Sequence, residues 1–241
     1  MNDTKNTKVA VFIDAENISA AHIDDILSEA SNFGDVIIKR VFADWSSPNM
    51  KTWKEKAASI SLRTEQQFAA VKGKNASDVS LIVSVLTALF EKSIDVFCLA
   101  SNDSDFTRLV QELREREKTV VGFGTTQSAA AVFVNSFSEF IYLESAQNNK
   151  KSSDKSGDAK ISKLPKDRAQ VLTDIIEMLI EQHGKALYSS IGMAMRNKFA
   201  DFMPKNYGSR TMSDFIKSNL SAIGKYEIKI DNKTTMYLVR A

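Results

Sequence analysis

Two nearly continuous apolar runs, VAVFI at residues 9–13 and VFCLA at residues 96–100, restrict how this chain can fold. A strand that is apolar at successive positions has both faces covered, which is typical of the inner strands of a parallel sheet. Between such runs, apolar residues recur at helical spacing. The alternation predicts an α/β fold with a doubly wound, mostly parallel sheet in the first part of the chain.

Strand patterns and helix patterns alternate through this predicted sheet domain. The strand patterns cover residues 8–13, 36–43, 67–71, 94–100, 119–123 and 140–143. The helix patterns cover residues 18–33, 53–62, 79–91, 106–117 and 128–137. A strand order of 3-2-1-4-5 would make the first and fourth strands neighbours.

A polar stretch, QNNKKSSDKSGDAKISK, contains no residue that would anchor a core and is predicted to be a flexible linker over residues 146–165. It separates a predicted domain at residues 1–145 from a smaller one at residues 166–241. The smaller domain has helix patterns followed by two strand patterns joined by a turn, which is typical of a winged helix-turn-helix. These patterns cover residues 168–182, 188–199, 211–220, 226–230 and 235–239.

The composition favours a soluble protein of the cytoplasm. Cys98 is the single cysteine, so no internal disulfide can form, and His22 and His183 do not complete a zinc ligand set with it. No apolar run approaches the roughly 18 residues that span a bilayer, and the polar beginning MNDTKNTK does not resemble a signal peptide. We therefore expect a reducing compartment and no membrane contact; the oligomeric state stays open.

Charge is unevenly distributed along the chain. Residues 1–149 carry 15 Lys and Arg against 20 Asp and Glu, a net charge of −5, whereas residues 150–241 carry 17 against 10, a net charge of +7. This division fits an acidic metal site beside an anion-binding module. It fits two solvated surfaces of different composition equally well.

Four aspartates fall where predicted strands end or the next helix begins. Asp14 follows the first strand in VFIDAEN, Asp103 and Asp105 follow the fourth in CLASNDSDF, and Asp78 begins the helix after the third. Ligands of open α/β sheets bind beyond the carboxyl ends of the strands. Each acid also has a structural explanation: an Asx turn for Asp14, and helix capping for Asp78 and Asp103.

Together, these acids would crowd negative charge that is costly unless a cation neutralises it. Carboxylate oxygens suit Mg²⁺ or Mn²⁺, and such an ion can activate water and shield phosphodiester oxygens during in-line attack. The chain has no G-x-G-x-x-G after the first strand, and no Walker A, G-x-S-x-G or H-E-x-x-H motif. The acids therefore predict a metal-dependent site.

The ordered motifs FIDAEN, KGKNASDVSL, LASNDSDFTRLVQELRE and VVGFG resemble the NYN domain of the PIN-like nuclease superfamily, close to its LabA-like branch. The resemblance covers residues 8–144 and implies a metal-dependent ribonuclease fold. We expect Mg²⁺ or Mn²⁺ as the cofactor, single-stranded RNA as the substrate and an endoribonuclease, while the sequence leaves endonucleolytic and exonucleolytic action open. Asn17 would help to shape the site. The acids that match the family's pattern, as catalytic metal ligands, are Asp14, Asp78, Asp103 and Asp105.

Two positions depart from the family's pattern. Ser84, in LIVSVL, stands where relatives often carry a further acid, and Asn102 stands where many relatives have glycine. The missing acid implies a weakened metal site. It leaves open a second function, a catalytically weak or inactive adaptor that binds RNA or recruits a protein.

Basic and aromatic side chains near the acids are candidates for substrate contact. Lys72 and Lys74 flank Gly73 just before Asp78 and are expected to hold a phosphate, although a solvated turn explains them equally well. Trp45 and Trp53 bracket a loop after the second strand. Either ring would suit base stacking, but a core or lid role is favoured.

The run ALYSSIGMAMRNKFADFMPKNYGSRTMSDFIKS resembles the LOTUS domain, also called OST-HTH, over about residues 167–240. The resemblance implies RNA binding in some members and docking of a protein partner in others. A basic winged helix suits contact with phosphates, and a solvated face is the ordinary alternative for each side chain. The basic candidates are Lys198, Lys205, Arg210 and Lys217.

Overall fold

The computed structural model describes residues 7–66, 76–126, 128–143, 164–224, 226–231 and 235–241. The chain divides into two compact units, residues 1–143 and residues 144–241, and each unit contains its own apolar core. No helix in the described part of the chain is long and apolar enough to cross a membrane.

A sheet of six parallel strands forms the centre of the first unit, in the order β3-β2-β1-β4-β5-β6. This confirms the predicted α/β fold, and β1 and β4 are neighbours, as the predicted strand order requires. The strands are β1 (Lys8–Asp14), β2 (Asp35–Phe42), β3 (Arg63–Glu65), β4 (Val96–Ala100), β5 (Thr119–Gly124) and β6 (Glu139–Tyr142).

Helices cover both faces of this sheet, which explains why successive residues of β1 and β4 are apolar and buried. The core on one face contains the stacked rings of Phe12, Phe42 and Phe97 together with residues of α3, α4 and α5. The helix α1 packs against β1 and β2. The helices are α1 (Ile23–Ser31), α2 (Lys51–Ser59), α3 (Ala76–Glu91), α4 (Thr107–Glu115) and α5 (Ala131–Ser136).

The third strand differs from the sequence-based expectation. The predicted strand at residues 67–71 lies outside the described residues, and the described third strand is β3, which pairs with residues 40–42 of β2 at the sheet edge. The strand β3 is short and polar, with the sequence RTE. An edge strand needs no continuous apolar run, so this strand left no signal in the sequence.

The second unit is a winged helix-turn-helix, as predicted. Its antiparallel strands follow the order β7-β9-β8. Of the predicted linker, residues 164–165 are described, and Leu164 is buried in the core with Leu172, Ile176 and Phe215. The elements are α6 (Lys166–His183), β7 (Ala186–Leu187), α7 (Tyr188–Lys198), α8 (Met212–Ile223), β8 (Tyr226–Asp231) and β9 (Thr235–Arg240).

Candidate functional site

Asp14 is buried at the end of β1, with 2% of its surface exposed, and is held by hydrogen bonds on both oxygens. Its Oδ1 accepts the backbone N–H groups of Glu16 at 3.1 Å and Asn17 at 3.3 Å, which is the expected Asx turn. Its Oδ2 accepts from Asn17 Nδ2 at 2.6 Å and from Ser101 Oγ at 2.9 Å. Burial raises the pKa of Asp14 although these bonds oppose it.

Ser101 connects Asp14 to the loop after β4. This side chain is fully buried, donates its hydroxyl to Asp14, and accepts the backbone N–H of Asp103 at 3.0 Å. Asp103 in turn caps a short 3-10 helix, because its Oδ1 accepts the N–H of Asp105 at 2.9 Å. The expected capping role of Asp103 is therefore confirmed. Ser101 was not among the predicted site residues, although it directly follows the apolar strand beside β1.

Asp78 lies in the first turn of α3, within electrostatic range of the other acids. Burial, followed by the charges of Asp14, Asp103, Glu16 and Asp105, raises the pKa of Asp78 to about 6. Neighbouring negative charge disfavours a further ionised carboxylate, so this shift reports that the acids lie close enough to repel one another. The fold thus gathers all four predicted aspartates into one electrostatic neighbourhood.

Glu16 is a fifth acid of this neighbourhood, and sequence reasoning missed it. Its Oε1 accepts the backbone N–H of Asp44 at 2.9 Å, and its Oε2 accepts the hydroxyl of Ser77 at 3.1 Å. It therefore connects the loop after β1 with the loop after β2 and with the start of α3. Glu16 and Asn17 also line an open groove of about 340 Å³. The signal for Glu16 was its position two residues after Asp14 in DAEN.

The donor chemistry of this neighbourhood fits a hard divalent cation, because every acidic donor is a carboxylate oxygen and the mutual repulsion is what a cation relieves. Within the described ranges, no three His, Cys, Asp or Glu side chains form a group that could hold a metal ion as they stand. Binding a cation would require the carboxylates to draw together.

Asn102 joins three loops at this edge of the sheet. Its Oδ1 accepts the N–H of Thr125 at 2.7 Å, and its Nδ2 donates to the backbone oxygen of Asn17 at 3.2 Å. The loops after β1, β4 and β5 are thereby joined. At a position where many relatives have glycine, this chain has a side chain that fixes the loops that carry the acids.

Ser84 is buried in α3, and its hydroxyl accepts a hydrogen bond from an arginine side chain. Its Oγ accepts from Arg40 Nη1 at 2.6 Å, and Arg40 Nε lies 3.8 Å from Glu65 Oε1. Glu65 also pairs with Arg63 at 2.7 Å. The position where relatives often carry a further acid is therefore neutral here, and its hydroxyl is already used by the Arg40 guanidinium.

The two tryptophans differ in environment. Trp53 is 3% exposed and its Nε1 donates to the backbone oxygen of Ile18 at 2.9 Å, so the favoured core role is confirmed for it. Trp45 is half-buried, and its Nε1 donates to the backbone oxygen of Glu65 at 2.8 Å.

Cys98 is buried inside β4, and burial raises the pKa of its thiol, in agreement with a packing role.

The predicted basic contacts lie at different places. Lys72 and Lys74 fall outside the described residues. In the second unit, Lys198 ends α7, Arg210 precedes α8 and Lys217 lies within α8, and all three are exposed. Lys205 is half-buried in a 3-10 helix. Contact of these side chains with phosphate stays a prediction.

The first unit is a parallel α/β sheet with acids beyond its strand ends, and the second is a winged helix. The family model of the NYN domain matches residues 8–144, and that of the OST-HTH/LOTUS domain matches residues 166–223. The chain belongs to the NYN domain family, a PIN-like nuclease family whose relatives usually use divalent metals. The two matches support a nuclease and RNA-related function.

Comparison with solved structures finds a crystal structure of a protein of unknown function from Vibrio parahaemolyticus. The two chains share 16% sequence identity, and the match covers 59% of this chain and 95% of the other, with a TM-score of 0.48. No match was found among curated proteins. Membership of the family therefore rests on the family-model matches.

Proposed function

We propose that this protein is a Mg²⁺- or Mn²⁺-dependent endoribonuclease of the cytoplasm that cleaves phosphodiester bonds in single-stranded RNA. The observation that carries the proposal is that, within an NYN domain, Ser101 joins the buried Asp14 at the end of β1 to Asp103 in the loop after β4. Burial and the surrounding carboxylates raise the pKa of Asp78 to about 6, which agrees with a crowded acidic site. Such a concentration of acids is favourable when positive charge enters it. The metal ligands in this proposal are Asp14, Asp78, Asp103 and Asp105.

Each acid would contribute through its present environment. Asp14 is oriented by Ser101 and Asn17, so its carboxylate keeps one direction. Burial and the neighbouring carboxylates raise the pKa of Asp78 to about 6, and a bound cation would lower it again by offsetting those charges. A bound Mg²⁺ or Mn²⁺ would activate water and shield the developing charge on the phosphodiester oxygens.

The remaining predicted residues would position the RNA. Asn17 donates to Asp14 Oδ2 and, with Glu16, lines the groove of about 340 Å³. Residues 166–241 carry 12 Lys and Arg against 8 Asp and Glu, and this net charge of +4 supports RNA binding by the winged helix. Proposed phosphate contacts are Lys72, Lys74, Lys198, Lys205 and Arg210.

A circular single-stranded RNA tests this function, because only an internal cut can linearise a circle. The purified full chain is expected to linearise it with Mn²⁺ or Mg²⁺ and to stop when EDTA is added. Cleavage of linear RNA with an intact circle would exclude the endonucleolytic part of the proposal. No cleavage of either RNA by metal-loaded protein would exclude a nuclease.

The adaptor function has one specific observation in its favour. Arg40 donates a hydrogen bond to the hydroxyl of Ser84. The position that carries an acid in many relatives therefore offers no carboxylate ligand for a metal ion. Calorimetric titration with Mn²⁺ separates the two functions, because a working site binds the ion with measurable heat. A chain that binds RNA but gives no heat with Mn²⁺ would be an adaptor.

A further inference from the structure

A second groove lies beside the loop after β2, and its lining combines an aromatic ring, apolar side chains and a lysine. Its volume is about 350 Å³, at the small end of the range of about 300–1,000 Å³ that is usual for ligand cavities. The groove is open to solvent on one side. Its lining residues are Trp45, Lys54, Ala57, Ala58, Leu62 and Thr64.

Trp45 gives this groove an aromatic wall. The hydrogen bond from its Nε1 to the Glu65 backbone oxygen, at 2.8 Å, uses the only donor of the side chain and fixes the indole against the edge strand β3. What the indole still presents is apolar ring surface. Ala57 and Leu62 are buried and add apolar surface to the groove. These surfaces suit a planar ring that stacks on the indole.

The groove adjoins the acidic site through a single residue. Asp44 precedes Trp45 in the chain, and its backbone N–H donates to Glu16 Oε1 at 2.9 Å. Lys54 lines the groove, and its positive charge makes a smaller contribution than the hydrogen bonds from Ser46 to the lowered pKa of Asp44. A strand that passes the acids would meet a positive charge and an aromatic ring together.

We propose that this groove is a nucleobase-binding subsite, in which one base of single-stranded RNA stacks on Trp45 while Lys54 meets an adjacent phosphate. The inference rests on the proposed function for its choice of RNA, and it names how that site holds its substrate. Stacking on an aromatic ring accepts every base, so the subsite contributes affinity and register and little sequence preference. Trp53, buried in the core, has no such role.

Tryptophan fluorescence tests this subsite without any cleavage, because Trp45 and Trp53 are the only tryptophans of the chain. The full chain is titrated with a single-stranded RNA decamer in EDTA, and binding of a labelled decamer is followed in parallel by anisotropy. Wild type is expected to show saturable quenching. Trp45→Phe should keep most of the affinity but lose the quenching, and Trp45→Ala should bind about tenfold more weakly.

Lys51→Ala and Lys54→Ala form a matched pair, because both lysines are exposed on α2 and only Lys54 lines the groove. Only Lys54→Ala is expected to weaken binding. The subsite would be overturned if wild type bound RNA without quenching of its tryptophan fluorescence, or if Trp45→Ala bound RNA as tightly as wild type. Absence of RNA binding by wild type would overturn it as well. Fluorescence quenching by RNA without metal-dependent cleavage would contradict the proposed nuclease function but support the subsite. Cleavage without quenching would support the nuclease function and contradict the subsite.

Discussion

At the scale of single residues, the ionised form of Asp78 lowers the stability of the folded chain, because it lies near the other acids. Its pKa of about 6 exceeds the usual 3.8, so between these two values the folded chain keeps a proton that the unfolded chain has released. Stability therefore falls as pH rises through this window. In EDTA, Asp78→Asn is expected to melt above wild type at about pH 8, with a smaller advantage at about pH 4.5. An advantage that does not depend on pH would contradict this account.

Ser84 allows a second prediction at this scale. Restoring an acid with Ser84→Asp would place a carboxylate beside the Arg40 guanidinium, whose Nη1 lies 2.6 Å from the present hydroxyl. The new carboxylate should pair with Arg40 and leave Mn²⁺-dependent cleavage no faster than in wild type. The double variant with Arg40→Met should be faster than Ser84→Asp alone. Faster cleavage by Ser84→Asp alone would show that Arg40 does not hold the carboxylate.

The aspartates could be found from the sequence because strand ends and motif order both pointed to them. Glu16 had only its position two residues after Asp14 as a signal, and Ser101 had only its position after β4, because their contribution comes from contacts between distant segments: Glu16 with Asp44 and Ser77, and Ser101 with Asp14. A hydroxyl or a second acid in a loop has no pattern of its own. The helix-capping role of Asp103 is confirmed as well, so capping and membership of the acidic neighbourhood coexist in one side chain.

At the scale of elements, β5 needs a glycine beside the aromatic residues that cover it. A Cβ at Gly122 would overlap the ring of Phe140 and lie 2.9 Å from Phe137 Cδ1. Gly122→Ala is expected to lower the free energy of unfolding by about 1–3 kcal/mol, because both rings are buried and must shift. Chemical denaturation of the full chain would measure this change.

Gly192→Ala is the matched control for this prediction. The site lies within α7, and the nearest atom to its Cβ would be Arg196 Nη1 at 3.6 Å, an ordinary contact. Alanine is the better helix former by about 1 kcal/mol, so this variant should be as stable as wild type or more stable. Equal destabilisation by both substitutions would show that ring packing is not what requires Gly122.

The main elements could be predicted because their apolar patterns are long. The strands β1 and β4 are continuous apolar runs, whereas β3 is a polar edge strand of three residues and β7 has two residues. Short strands are defined by the neighbour that they pair with, and a local pattern does not contain that information. This is why β3 and β7 were recognised only in the structure.

At the scale of the whole molecule, the basic winged helix predicts how RNA binding depends on salt. Each phosphate contact to single-stranded RNA contributes about 0.7 to the slope of log affinity against log salt concentration. Replacing Lys198, Arg210 and Lys217 by alanine should therefore make that slope shallower by about 2 and weaken binding at low salt. Anisotropy across a salt series measures it.

A double variant at two other lysines of the winged-helix unit controls for the general loss of positive charge. Lys185 and Lys229 already lie 3.4 Å and 3.7 Å from Asp231 and Glu227, so their replacement by alanine should change the slope much less. Equal slopes for wild type and the triple variant would mean that RNA does not contact these three side chains.

If the acids beyond the strand ends hold the metal that cuts RNA, cleavage depends on Asp103 and not on an acid elsewhere on the surface. The most direct measurement compares Mn²⁺-dependent cleavage of single-stranded RNA by wild type, Asp103→Asn and Asp24→Asn, the last at an acid that is 57% exposed on α1 and lies outside the acidic neighbourhood. The account predicts that Asp103→Asn loses cleavage while its circular dichroism stays that of the folded chain, and that Asp24→Asn cleaves as wild type does. A folded Asp103→Asn that cleaves at the wild-type rate would contradict it.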